Sequence, residues 1–139
     1  MNRRLVIDAN RIFSALLKDG ETRRAVLSAE ATLFAPRFLR VEIERHKREI
    51  VRRTRGQKED IDVMLAILYR RIAWVSDEEI TTHTAIAKAA LGAVDGKDVP
   101  YLACALAVGA DAIWSHDADF DEQTLVPRIA HPAATIPPK

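Results

Sequence analysis

Residues 98–117 restrict the fold more than any other stretch. Tyr101 to Val108 reads Tyr-Leu-Ala-Cys-Ala-Leu-Ala-Val. A helix of that composition is apolar on every side and must be covered all round. Asp98 reads as its N-cap, and Pro100 falls in the first turn, where a missing N–H costs little. Gly109 suits the C′ position. Ala112 to Ser115 then reads as a short buried strand that runs into Ser-His-Asp-Ala-Asp. Asp98 thus stands at the start of a buried helix and Asp117 just past the end of a buried strand. In a parallel α/β sheet both ends lie on one edge, the edge where ligands bind.

The rest of the chain supplies the partners that such a helix and strand need. Leu5, Val6 and Ile7 are consecutive apolar residues, as a strand buried on both faces requires, so Arg4 to Asp8 is predicted as the first strand. Asn10 can cap a helix over Arg11 to Leu17. A second helix is expected over Glu21 to Glu30 and a strand over Thr32 to Ala35. Pro36 starts a long helix to about Arg53. Thr54-Arg55-Gly56 turns it, and Gln57 to Arg71 returns with Ile61, Met64, Leu65 and Leu68 on one face. This pair, 36–71, reads as a helical hairpin protruding from the sheet. Ala73 to Ser76 is the third strand. Asp77-Glu78-Glu79 then opens a helix to Leu91, with acids where the macrodipole favours them. Arg128 to His131 is a fifth strand, and 132–139 a loosely ordered tail. Alternation of strand and helix predicts a three-layer α/β/α sandwich on a mainly parallel sheet of four or five strands. With 139 residues, no internal repeat and no long linker, one domain is expected.

Four carboxylates fall where this architecture converges. Asp8 directly follows a fully apolar strand, and Asp98 and Asp117 reach the same edge. Glu42 follows Phe38 and Leu39 by four and three residues, so it borders the apolar face of its helix. Glu44, flanked by Arg40 and Arg48, reads instead as part of a surface ion-pair row. Asp119 and Asp121 read as turn residues. Carboxylates that converge away from water repel one another and need a cation or a proton to stay together. An all-oxygen set suits Mg²⁺ or Mn²⁺ rather than zinc, and the four histidines show no zinc spacing. Such a cluster can clamp a phosphodiester and activate a water.

The charge distribution points to the same class of substrate. The net charge is +1, but residues 40–58 hold eight Lys or Arg against three Glu, while the other residues are net acidic. Arg45, Lys47, Arg48, Arg52, Arg53 and Arg55 crowd into three helical turns. They cannot all point inward, so most are expected to face water and offer a row of cations to an anionic partner such as a phosphate backbone. One cysteine excludes a disulfide framework. The opening Met-Asn-Arg-Arg-Leu-Val-Ile-Asp has too short an apolar run for a secretory signal. No run approaches the roughly 18 apolar residues of a membrane span. A reducing, cytoplasmic setting away from membranes is therefore expected.

Val6-Ile7-Asp8-Ala9-Asn10 followed by Ser14-Ala15-Leu16 resembles the opening of PIN-domain proteins. Pro36 through Glu42-Ile43 resembles their second acidic motif. Asp98 with its Ala-rich helix, then Gly109-Ala110-Asp111 and Ser115-His116-Asp117-Ala118-Asp119-Phe120, resembles their third and fourth. The resemblance covers most of the chain in the right order. It implies a metal-dependent ribonuclease on a parallel sheet, and many small members are VapC-like toxins of toxin–antitoxin pairs. It carries Asp8, Glu42, Asp98 and Asp117 over as metal ligands. Asn10, Asp95 and Ser115 carry over as supporting positions, Ser115 standing where Thr is common. RNA as substrate, an antitoxin protein as partner and a homodimer are the expected associations.

Other acid-cluster enzymes fit less well. A phosphatase of the haloacid dehalogenase type wants Asp-x-Asp after the first strand, where this chain has Asp8-Ala9-Asn10. A receiver domain wants an acidic pair near that strand and a lysine after a late one. No glycine-rich phosphate loop is present. A PIN-like fold that only binds RNA or protein remains the alternative from another class, but it would have no need to keep four acids together.

Overall fold

The computed structural model describes residues 2–17, 20–54, 58–92 and 96–137, apart from the side chain of Lys58. Five strands form one sheet in the order β3-β2-β1-β4-β5, and every pairing is parallel. They are β1 (Arg3–Ile7), β2 (Ala31–Pro36), β3 (Ile72–Val75), β4 (Ala112–Trp114) and β5 (Arg128–Ile129). In the central strand Leu5, Val6 and Ile7 are fully buried, which is why that position demanded an unbroken apolar run.

Helices α1 (Ala9–Leu17) and α2 (Gly20–Ser28) connect β1 to β2. Helices α3 (Arg37–Arg45), α4 (Lys47–Thr54) and α5 (Lys58–Arg71) connect β2 to β3. Both crossovers step the same way across the sheet. The next one, α6 (Asp77–Leu91) and α7 (Val99–Val108), steps back past β1 to β4. Right-handed crossovers therefore put α1–α5 on one face and α6–α7 on the other, giving three layers. Contacts agree: α1 meets α2, α4 and α5, while α7 packs on α6, β1, β2 and β4. Tyr101 to Ala105 of α7 are all buried, as their composition required. Gly109 ends that helix in the left-handed region at φ 62°, where only a glycine is unstrained.

Several expectations are corrected. The long helix over 36–53 breaks at His46, whose φ of −100° and ψ of 13° lie outside the helical range. The break changes direction, so that α3 packs on β2 while α4 packs on α1. Leu39, Ile43, Ile50, Ile61, Leu65 and Leu68 are buried, so the hairpin expected to protrude is tied to the core along its apolar side. Its turn, with Arg55 and Gly56, lies outside the described residues. Asn10 does not cap α1. The helix begins one residue after Asp8, and Asp8 Oδ1 accepts the Arg11 N–H at 3.0 Å. Asp98 makes no side-chain cap bond, because a 3₁₀ turn, Gly96–Asp98, leads into α7 and leaves Asp98 in helical geometry. The predicted tail is tied down at its start: Arg3 donates to the carbonyls of Pro132 and Ala134 at 2.8 and 2.6 Å. Among the described residues, no helix is long and apolar enough to cross a membrane.

Candidate active site

The sheet order reverses between β1 and β4, and a crevice opens beyond the carboxyl ends of those two strands. Asp8 leaves β1 there and is 6% exposed. Ser115 leaves β4 and is fully buried. Its hydroxyl donates to Asp8 Oδ2 and accepts the Asp117 N–H at 2.9 Å. One serine thus links the carboxyl ends of two neighbouring strands. Asp117 Oδ1 accepts the Asp119 N–H at 2.9 Å and starts a 3₁₀ turn over Ala118–Glu122. That turn swings Asp119 back toward the crevice. One oxygen from each of Asp98, Asp117 and Asp119 lies within 4.8 Å of the others.

A cavity of about 750 Å³ sits over these groups. Asp8, Glu42, Asp98 and Asp117 all line it, together with Asn10, His46, Lys97 and the rings of Phe13, Phe38 and Tyr101. All four carboxylates predicted from sequence therefore face one space. They differ in environment. Asp8 has both oxygens engaged, and burial raises its pKa. The Ser115 hydroxyl, the Arg11 N–H and the Arg11 charge work against that rise, while the Asp117 charge adds to it. Glu42 is 41% exposed at the mouth and pairs with Arg45 at 3.1 Å and His46 at 3.5 Å. The Tyr101 phenol is pushed up first by burial and then by the charge of Asp8.

Asp119 is the acid that sequence reasoning set aside as a turn residue. The alternation Asp117-x-Asp119 just past a strand was the available signal. Arg11 was also missed, since nothing local separates it from a solvated helix residue. It is 9% exposed and lies close enough to Asp8 to lower its pKa. Asp95, one of the three supporting positions, lies outside the described residues.

The basic residues are dispersed. Lys47 is bound to Asp62 and Glu44 at 2.6 and 3.2 Å. Arg45 holds Glu42, and Arg52 pairs with Glu49 at 3.7 Å. Arg48 and Arg53 are exposed, and Arg53 lines a groove beside the acid cavity. Arg55 lies outside the described residues. The ion-pair row expected for Glu44 has other members: its partners are Lys47 and the Tyr69 hydroxyl, at 3.1 Å, while Arg40 stacks over Tyr69 and Trp74.

A family model described as PIN domain matches residues 6–126. No curated protein matches the chain. Among solved structures, the chain is similar to one in the crystal structure of VapBC2 from Rickettsia felis bound to a DNA fragment from their promoter. The TM-score is 0.66 at 12% identity, over 91% of this chain and 97% of that one.

Proposed function

This chain belongs to the PIN-domain family, and from that premise we propose that it is a divalent-metal-dependent ribonuclease, acting in the cytoplasm as the toxin of a toxin–antitoxin pair. The observation that carries the reading is the cavity at the switch point, with Asp8, Glu42, Asp98 and Asp117 on its wall. Donors that are all carboxylate oxygens, three of them within 4.8 Å of one another, fit Mg²⁺ or Mn²⁺. When bound, such an ion supplies a water of lowered pKa and a positive charge facing the leaving oxygen.

The chain's own residues divide the remaining work. Asp98, Asp117 and Asp119 hold the ion, with Asp8 and Glu42 completing the wall. Ser115 fixes the carboxylate of Asp8 and the loop of Asp117 relative to each other. Asn10 at the rim offers an amide to the substrate backbone. Exposed arginines of α4 attract the phosphates.

An antitoxin partner is supported by the likeness to a VapBC2 chain. Val41, Val63 and Ile67 on α3 and α5 are 52%, 60% and 41% exposed, apolar surface that an antitoxin or a second copy in a homodimer would cover. The test is degradation of a mixed RNA by purified protein with Mn²⁺, with EDTA and Asp98→Asn as controls. Loss of cleavage in both controls is expected. Cleavage that survives EDTA, or none with any divalent ion, would overturn the reading. Growth arrest on expression, relieved by the product of a neighbouring reading frame, would establish the toxin role.

A further inference from the structure

The groove beside the acid cavity contains a buried cation that the chemistry above leaves unused. Arg11 lies in the first turn of α1 and is 9% exposed. Its Nε is buried without a hydrogen-bond partner. Its Nη1 lies 3.5 Å from His116 Nε2, and that same nitrogen is 3.0 Å from the Ala130 carbonyl. A ring nitrogen that donates to a carbonyl has no lone pair for a second donor. His116 Nε2 can therefore accept from the guanidinium only in the tautomer that gives up its hydrogen bond to the Ala130 carbonyl, so the two contacts compete. Asp8 is near enough to feel its charge, yet among the described residues no carboxylate reaches it at ion-pair distance. A buried guanidinium in that state is costly, and its planar fork of donors matches a phosphate.

The space over Arg11 suits such a guest. A groove of about 590 Å³ is lined by Arg11, Arg53, Ser14 and Glu49, and it shares Asn10, Phe13 and His46 with the acid cavity. Acids line one space and arginines the next, side by side along α1. A nucleic-acid strand carries phosphates in series. With one phosphate over the acids, its neighbour would lie within the groove. Phe13 borders both spaces and offers a ring on which a base can stack.

We propose that this groove is a phosphate subsite: Arg11, with Arg53 at the rim, holds the backbone phosphate next to the scissile one in single-stranded RNA. The proposal rests on the ribonuclease reading and deepens it. Arg11 binds through the fork of its guanidinium and holds the neighbouring phosphate, not the scissile one.

The test separates binding from cleavage. Asp98→Asn protein in EDTA is titrated with a short fluorescein-labelled RNA of mixed sequence, by anisotropy over a salt series. Adding Arg11→Gln should weaken binding about tenfold, as for a lost charge-assisted contact. It should also flatten the logarithmic salt slope by about 0.7, one single-strand phosphate contact. Arg11→Lys keeps the charge but loses the fork, so the slope should return while affinity recovers only in part. That split distinguishes a phosphate contact from a merely structural arginine. Arg53→Gln should lower affinity and slope in the same sense, and it serves where Arg11→Gln does not fold. With Asp98 restored and Mn²⁺ present, Arg11→Lys, which keeps the charge beside Asp8, should raise KM and leave kcat in place. Unchanged affinity and slope in folded Arg11→Gln, or in Arg53→Gln and Arg11→Lys together, would overturn the subsite. RNA held through Arg11 by a protein that cleaves nothing would sink the ribonuclease reading and leave the subsite standing. Normal cleavage with Arg11-independent binding would do the reverse.

Discussion

Two charge clusters in this molecule are balanced in opposite ways. Between α3, α4 and α5, Lys47 bridges Asp62 and Glu44, Glu44 accepts from Tyr69, and Arg40 lies 4.6 Å above the Tyr69 ring. Each charge there has an opposite charge or a π face beside it, so the cluster is complete without a ligand. At the carboxyl edge of the sheet, four acids line one cavity, with Lys97 and His46 as the basic groups of its described lining. Asp8 there is raised by burial and by the charge of Asp117. Both regions offer a cavity, of about 510 and 750 Å³ respectively. The difference lies in the sign left over. A neutralised cluster holds the fold together, whereas an excess of one sign calls for an external cation.

The strongest way to break the comparison is to make the same change in both clusters. Asp98→Asn and Asp119→Asn should each lower Mn²⁺-dependent kcat/KM by more than about 100-fold, since even outer partners of metal ligands cost 10–100-fold. Mn²⁺ affinity by titration calorimetry should fall with it. Asp62→Asn should leave both unchanged. A wild-type Asp119→Asn would mean that this acid is only the turn residue its sequence context suggested.

A middle-sized effect concerns pH. Burial raises Asp8 above its ordinary 3.8. Folded Asp8 therefore keeps a proton that the unfolded chain has released, so metal-free stability should fall as pH rises from about 4 through the native value. Asp8→Asn keeps the capping oxygen and removes that fall. In EDTA it should melt above wild type at neutral pH and close to it at about pH 4, below which both carboxyl states are protonated. Saturating Mn²⁺ should favour wild type, because bound metal stabilises only the folded form. Parallel melting curves across pH would remove Asp8 from the repulsive set.

The smallest effects sharpen the boundary between the two clusters, which are only two residues apart on α3. Glu42→Gln should lower cleavage while shifting stability by no more than about 1 kcal/mol, as for an exposed pair. Glu44→Gln should leave cleavage intact, with a similar cost of about 0–1 kcal/mol. Lys47→Ala should cost about 1 kcal/mol, because it strips two carboxylates of their shared partner. Urea unfolding and RNA cleavage measured on the same preparations would check all three. Equal losses of activity at Glu42 and Glu44 would mean that the helix phase does not separate their roles.

Much of the fold was legible locally. Leu5-Val6-Ile7 and Tyr101 to Val108 are runs whose composition calls for burial; Leu5 to Ile7 and Tyr101 to Ala105 are buried in the core, and Leu106 and Val108 pack partly buried against it. The acids of Asp77-Glu78-Glu79 mark the start of α6, while Ser76, read from sequence as the end of the third strand, is that helix's cap and accepts the Glu79 N–H at 3.3 Å. The break at His46 was not legible, because Leu39, Ile43 and Ile50 keep one helical stripe across it. What divides that stripe is the pair of surfaces it meets, β2 for α3 and α1 for α4.

The sequence by itself determined an alternating α/β chain with Asp8, Asp98 and Asp117 at element ends that a parallel sheet brings to one edge. Burial and element period are properties of a few consecutive residues, so they can be read without the fold. Only the tertiary structure decided which charges meet. It made Asp8 the cap of its own helix, turned Asp119 toward Asp98 and Asp117, gave Lys47 to Asp62, and buried Arg11 beside His116. Those distances depend on the register of Leu5 against Ala112 and on the path of each crossover. Electrostatic energy falls off over a few ångströms, so it is set by long-range closure and not by spacing along the chain.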